Sequence, residues 1–188
     1  MLIWYLARGA GVAAFALLSV ATAAGALTSR KTAAVPARVL TQYLHRSAAL
    51  AGMALLALHI LTVLADSYAH VGPAGVLVPF ASAYRPLAVT FGVLALYLLV
   101  AVSLTGALRS AFTRSGRAVR SWRGIHLLSY AAWAAAGWHF WTAGTDAGQG
   151  WAKLVLLGGL ATVTAAGAVR LAGSPSIRPM PARIGGRA

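Results

Sequence analysis

The chain consists of apolar runs, each long enough to cross a bilayer, joined by short connections that hold most of its charge. A transmembrane helix needs about 20 mostly apolar residues to cross about 30 Å of hydrocarbon. Five stretches reach that length: Trp4–Leu27, Ala48–Asp66, Pro86–Leu108, Ile125–Ala143 and Trp151–Leu171. Only 10% of the 188 residues are charged, against about 25% in a soluble domain. The pattern predicts an all-α integral membrane bundle of about five transmembrane helices over residues 1–172. The remainder, 173–188, is basic, opens on Gly-Ser-Pro-Ser-Ile-Arg-Pro-Met-Pro and has no apolar period. It reads as a disordered cytoplasmic tail.

Charge is one-sided in sign and in place. Sixteen Lys and Arg face two Asp and no Glu, a formal net charge of +14. Such a balance raises nucleic acid as a partner. The basic residues lie between apolar runs and not on one polar face, so nucleic acid is excluded in favour of membrane lipid. Thirteen of the sixteen fall in the first connection, the third connection and the tail region. Arg8, Arg85 and Lys153 are left on the other side. The positive-inside rule then places the N-terminus outside and the C-terminus in the cytoplasm of a cell (plasma) membrane. Ala21-Thr22-Ala23 resembles a signal-peptide cleavage site, but Arg30 and Lys31 follow the apolar run where a signal peptide wants its charge ahead of it. The first run is therefore kept as a helix. Two carboxylates leave little for acid–base pairs or oxygen-ligand metal cages.

Four of the five histidines belong to two spans, His45 and His59 to the second, His126 and His139 to the fourth. Ionisable side chains at membrane depth are costly and mark function. Hydrogen bonding to a neighbouring helix explains one such residue well and two matched pairs poorly. The separations, 14 and 13 residues, correspond to about 21 and 20 Å along a helix axis. The second and fourth spans run in the same direction, so His45 is level with His126 and His59 with His139. Fourteen residues return His59 to within about 40° of His45, whereas thirteen leave His126 and His139 about 140° apart on a straight helix. Trp133 lies midway between the latter two, either as core or between the two levels.

Two imidazoles per level fall short of a zinc site, which wants three or four protein ligands. A haem iron has four porphyrin nitrogens already and needs two axial ligands. Two non-covalent b-type haems, stacked across the membrane, match the count at both levels. The absence of cysteine excludes covalent attachment and thiolate ligation. Gly52, Ala54, Ala134, Ala135, Ala136 and Gly137 lie between the ligands, where they suit either a macrocycle or close helix packing.

These residues resemble a known family. His45-Arg46 with His59, and Trp122-Arg123-Gly124-Ile125-His126-Leu127-Leu128-Ser129-Tyr130 with His139 and then Gly144-Thr145-Asp146, look like the ferric reductase-like transmembrane domain of ferric reductases and NADPH oxidases. Trp4-Tyr5-Leu6-Ala7-Arg8 and Pro79-Phe80-Ala81-Ser82-Ala83-Tyr84-Arg85-Pro86 are similar to its bacterial members. The resemblance covers roughly 4–172. It implies His45 and His126 as inner haem ligands, His59 and His139 as outer ones, and electron flow from a cytoplasmic donor to an acceptor outside. The sequence has no Gly-rich dinucleotide motif between a strand and a helix. The expected role is thus a membrane electron-transfer subunit of an oxidoreductase, served by a separate flavin/NAD(P)H reductase or by quinol. The haem-binding membrane subunit of the methionine sulfoxide reductase system is a similar stand-alone form.

Haem propionates favour arginine partners near the membrane surface. Arg46 and Arg123 suit the inner haem, and Arg85 the outer haem or an anionic acceptor. His70 reads as a surface residue. Outward electron movement is assisted by a potential negative inside, by up to about 2.3 kcal/mol per 100 mV. Two other functions fit the residues less closely: a quinol-oxidising di-haem cytochrome b, and a haem-free transporter or scaffold.

Overall fold

The computed structural model describes residues 2–28, 34–67 and 70–172. Over them the chain is helical, without a strand: α1 (Leu2–Thr28), α2 (Val35–Ala65), α3 (Gly72–Leu77), α4 (Pro86–Ala107), α5 (Gly116–Ala143) and α6 (Gly150–Ala172). A 3-10 helix over Arg109–Arg114 joins α4 to α5. The tail expected to be disordered, and the connection holding Arg30 and Lys31, lie outside the described residues.

Helices α1, α2, α4 and α6 are long and apolar enough to cross a membrane. The fourth sequence-predicted span, Ile125–Ala143, forms the later part of α5. Its two histidines, three tryptophans and Tyr130 leave it less apolar than the others.

Two helices begin well before their apolar runs. Pro36 sits in the first turn of α2, where its fixed φ suits helix initiation and its missing N–H removes no bond. Ser115 opens α5, its Oγ accepting the Ala118 N–H at 3.2 Å, an N-cap that satisfies one of the free donors of the first turn. At 31 and 28 residues these helices are about 46 and 42 Å long, each longer than the roughly 30 Å of a hydrocarbon core.

The bundle is organised around α1, whose buried residues are mostly alanine: Ala7, Ala10, Ala14, Ala21, Ala23, Ala24 and Ala26, with Phe15, Leu18 and Ser19. Small side chains let neighbouring backbones approach closely. Helix α2 runs along α1, α6 packs on α1, and α4 runs along α5. At the end carrying the 3-10 helix, Ala23, Ala26, Val163 and Ala166 form a cluster against Tyr130 and Trp133. At the opposite end, near α3, Val71, Val89 and Val93 pack with Val63, Val76 and Tyr84. Large apolar side chains face outward, among them Leu50 at 73% exposure, Leu61 at 63% and Leu154 at 72%. A contiguous apolar exterior of this kind drives association in water; in a bilayer it is the lipid-facing surface.

Candidate functional site

Helices α2 and α5 meet through their histidines. The His45 and His126 rings have centroids 6.0 Å apart at an interplanar angle of 71°. The His59 and His139 rings lie 6.4 Å apart at 72°. The first pair is at the basic end of the bundle, the second at the α3 end. The mismatch expected from the 13-residue separation on α5 does not prevent both its rings from facing α2.

Three of the four rings are oriented by backbone carbonyls. His45 Nδ1 lies 2.7 Å from the Ala21 oxygen, His59 Nδ1 2.7 Å from that of Ala7, and His139 Nδ1 2.9 Å from that of Ala88. A carbonyl can only accept, so each of these Nδ1 atoms carries the proton, and in the neutral ring Nε2 then keeps its lone pair. That is the state in which a histidine binds a metal, with its other nitrogen held by an outer partner. The fourth, His126, is different: its Nδ1 is buried without a hydrogen-bond partner.

The spacing tests which group fits. A metal–imidazole bond is about 2.0 Å and the nitrogen lies about 1.2 Å from the ring centre, so two imidazoles facing each other across one metal have centroids about 6.4 Å apart, and two at a tetrahedral angle about 5.2 Å. The observed 6.0 and 6.4 Å match the facing span. Among the described residues no group of three or more His, Cys, Asp or Glu could hold a metal ion. A metal that brings its own equatorial donors, such as haem iron, suits two-ligand levels.

A cavity of about 310 Å³ surrounds the His59–His139 pair and reaches the α3 end past Trp4, Arg8, Asp66, Tyr84 and Asp146. Arg8 is ion-paired with Asp146, its Nε donating to Oδ2 at 2.6 Å, and its guanidinium lies 3.9 Å from the Trp4 ring centre. Both carboxylates of the chain therefore line this mouth. The sequence marks Asp146 only within Gly144-Thr145-Asp146 and Asp66 only as the end of the second span; the available signal for a shared mouth is that both stand where spans end on the same side.

The basic end is built differently. Trp122 stacks on His126, centroids 5.1 Å apart and 20° from parallel, and Arg109 lies 5.1 Å from the Trp122 ring centre. Trp122 Nε1 is, like His126 Nδ1, a buried polar atom without a partner. Arg46 and Arg123 are exposed, one residue after His45 and three before His126.

Other expected residues have local roles. Arg85 Nη1 donates to the Thr142 carbonyl at 2.6 Å and Tyr84 Oη to that of Ala143 at 3.0 Å, so both bond the last turn of α5. His70 is exposed. Trp133 donates from Nε1 to Ser19 Oγ at 2.8 Å and stacks on Phe15 at 6.1 Å, which places it among α1, α5 and α6. Gly52 faces Leu18, and Gly137 faces Phe15 and Leu156, so these two serve helix packing. Comparison with protein-family models, with characterised proteins and with solved structures finds no match.

Proposed function

We propose that the chain carries electrons across a cell (plasma) membrane through two haems, one between His45 and His126 and one between His59 and His139. The observation that carries this reading is the pair of imidazole spacings, 6.0 and 6.4 Å, each the span of a single iron. The resemblance to the ferric reductase-like transmembrane domain supports the same ligands. In this reading α5 is a fifth span, the α3 end faces outward, and the basic end faces the cytoplasm.

Bound between such pairs, a haem supplies one-electron redox chemistry without proton transfer by the protein. The chain's own residues hold and insulate it. His45, His59 and His139 present Nε2 because their Nδ1 protons are committed to backbone carbonyls. The Trp122 indole N–H, buried and unpartnered, is a donor available to an anionic group at the basic end, with Arg109 across its ring and Arg46 and Arg123 at the surface. At the α3 end, Arg85 is committed to the Thr142 carbonyl, and Arg8 is the arginine that lines the cavity. Electrons enter from a separate flavin/NAD(P)H reductase docked on the basic end and leave to an acceptor at the opposite mouth.

The test is vectorial electron transfer in vesicles. The purified protein is reconstituted with ferricyanide trapped inside, and an impermeant reductant is added outside. Bleaching of the trapped ferricyanide by wild type, abolished in His59→Ala and His126→Ala, is the expected result. Bleaching no faster than in protein-free vesicles would overturn the proposal. Reduction by a quinol analogue in the bilayer, without the added reductant, would move the donor to the quinol reading.

A further inference from the structure

A glycine on a neighbouring helix faces each of the four histidines. A Cβ built on Gly11 would lie 2.8 Å from His59 Nδ1, on Gly25 3.0 Å from His45 Nδ1, and on Gly92 2.9 Å from His139 Nδ1. On Gly106 the nearest atom would be His126 Cε1 at 3.7 Å, an ordinary contact. Three imidazoles thus lie where any other residue would place its first side-chain carbon.

The hydrogen bonds explain why. The acceptors Ala7, Ala21 and Ala88 each stand four residues before Gly11, Gly25 and Gly92. In an α-helix the carbonyl of residue i−4 receives the N–H of residue i and lies beneath it on the same face. It retains a second lone pair. A glycine at position i uncovers that lone pair, and an imidazole laid in the notch takes it.

The register accounts for the exception. Gly11 and Gly25 are 14 residues apart, as are His45 and His59. Gly92 and Gly106 are also 14 apart, but His126 and His139 are 13 apart. One residue of mismatch is about 1.5 Å along an axis and about 100° around it. It falls on His126, whose notch is the loosest and whose Nδ1 has no partner.

We infer that Gly11, Gly25 and Gly92 are positioning residues, which fix His59, His45 and His139 as Nδ1–H tautomers, and that the His45–His126 level is asymmetric, with one ring locked and the other not. The inference rests on the proposed function only in assigning iron to Nε2. A hydrogen-bonded imidazole is the more basic ligand, so a lost notch changes the electronic state of one haem.

The experiment is low-spin ferric EPR with a redox titration on the purified wild type and on Gly11→Ala, Gly25→Ala, Gly92→Ala and Gly106→Ala. Gly11→Ala and Gly92→Ala are expected to shift the g-values and potential of one haem, Gly25→Ala those of the other, and Gly106→Ala neither. Unchanged spectra in all four, equal damage from Gly106→Ala, or loss of both haems in each variant would overturn the inference. A wild type without haem overturns the proposed function instead. Nitrogen-15 NMR of the histidines in that full-length wild type then decides the notches, without relying on any variant. Three rings fixed with the proton on Nδ1 support them, and tautomer mixtures at those rings refute them.

Discussion

The smallest parts with large consequences are single polar groups in an apolar interior. The Arg8–Asp146 pair is partly buried, at 25% and 17% side-chain exposure. Removing one partner leaves the other poorly solvated, at a cost between the surface and buried extremes, about 1–3 kcal/mol. Asp146→Asn and Arg8→Ala are each expected to lower the thermal midpoint in detergent, and the double variant to lose less than the sum of the two. Additive losses would mean the two side chains do not interact. Trp133 makes a second case. Ser19→Ala removes the acceptor of a part-buried indole N–H, worth about 1–2 kcal/mol, and Trp133→Phe removes donor and need together. Trp133→Phe is expected to keep the wild-type electron-transfer rate in vesicles, because the ring belongs to the α1–α5–α6 core; a large fall in rate would make it a relay. The histidines were legible in the sequence because ionisable groups in apolar runs stand out. The Arg8–Asp146 pair was not, because its partners are 138 residues apart and only the fold brings them together.

Among elements, the ends of helices decide how the levels line up. Arg85 has φ 39°, in the left-handed region that costs a side-chain-bearing residue about 1–2 kcal/mol. Its guanidinium bonds the last turn of α5, where a cation also meets the negative end of the helix dipole. Arg85→Ala loses the bond and keeps the strain, whereas Arg85→Gly loses the bond and relieves the strain. Gly is therefore expected to be the more stable of the two variants by about 1 kcal/mol, measured by thermal unfolding. The reverse order would show that the backbone there is not strained. Hydropathy starts the second and fourth spans at Ala48 and Ile125, because only the apolar parts of α2 and α5 carry that signal. Pro36 and Ser115 mark the true starts, and the early start of α2 places His45 well inside a helix. The glycines spaced 14 apart on α1 and α4 were visible too, but without knowing which helices are neighbours they could not be matched to the histidines.

At the level of the whole molecule, apolar length and the scarcity of charge made the helical membrane bundle legible, and the order of spans made the two histidine levels legible. The cavity was not, since it is the space left where α2 and α5 meet only through side chains. Orientation belongs to this scale. The absence of cysteine makes single introduced thiols clean reporters, and Ser67 and Gly116 are exposed at opposite ends. In intact cells an impermeant maleimide is expected to label Ser67→Cys, and Gly116→Cys only after permeabilisation; the opposite pattern would invert the proposed direction of electron flow. The central claim is that each histidine pair holds one haem. Its most direct test is a reduced-minus-oxidised absorption spectrum with a haem-to-protein ratio on wild type, His59→Ala and His126→Ala. The account predicts about two b-type haems in wild type and about one in each variant, the two variants retaining spectrally different haems. No haem in wild type, or an undiminished ratio in the variants, would contradict it.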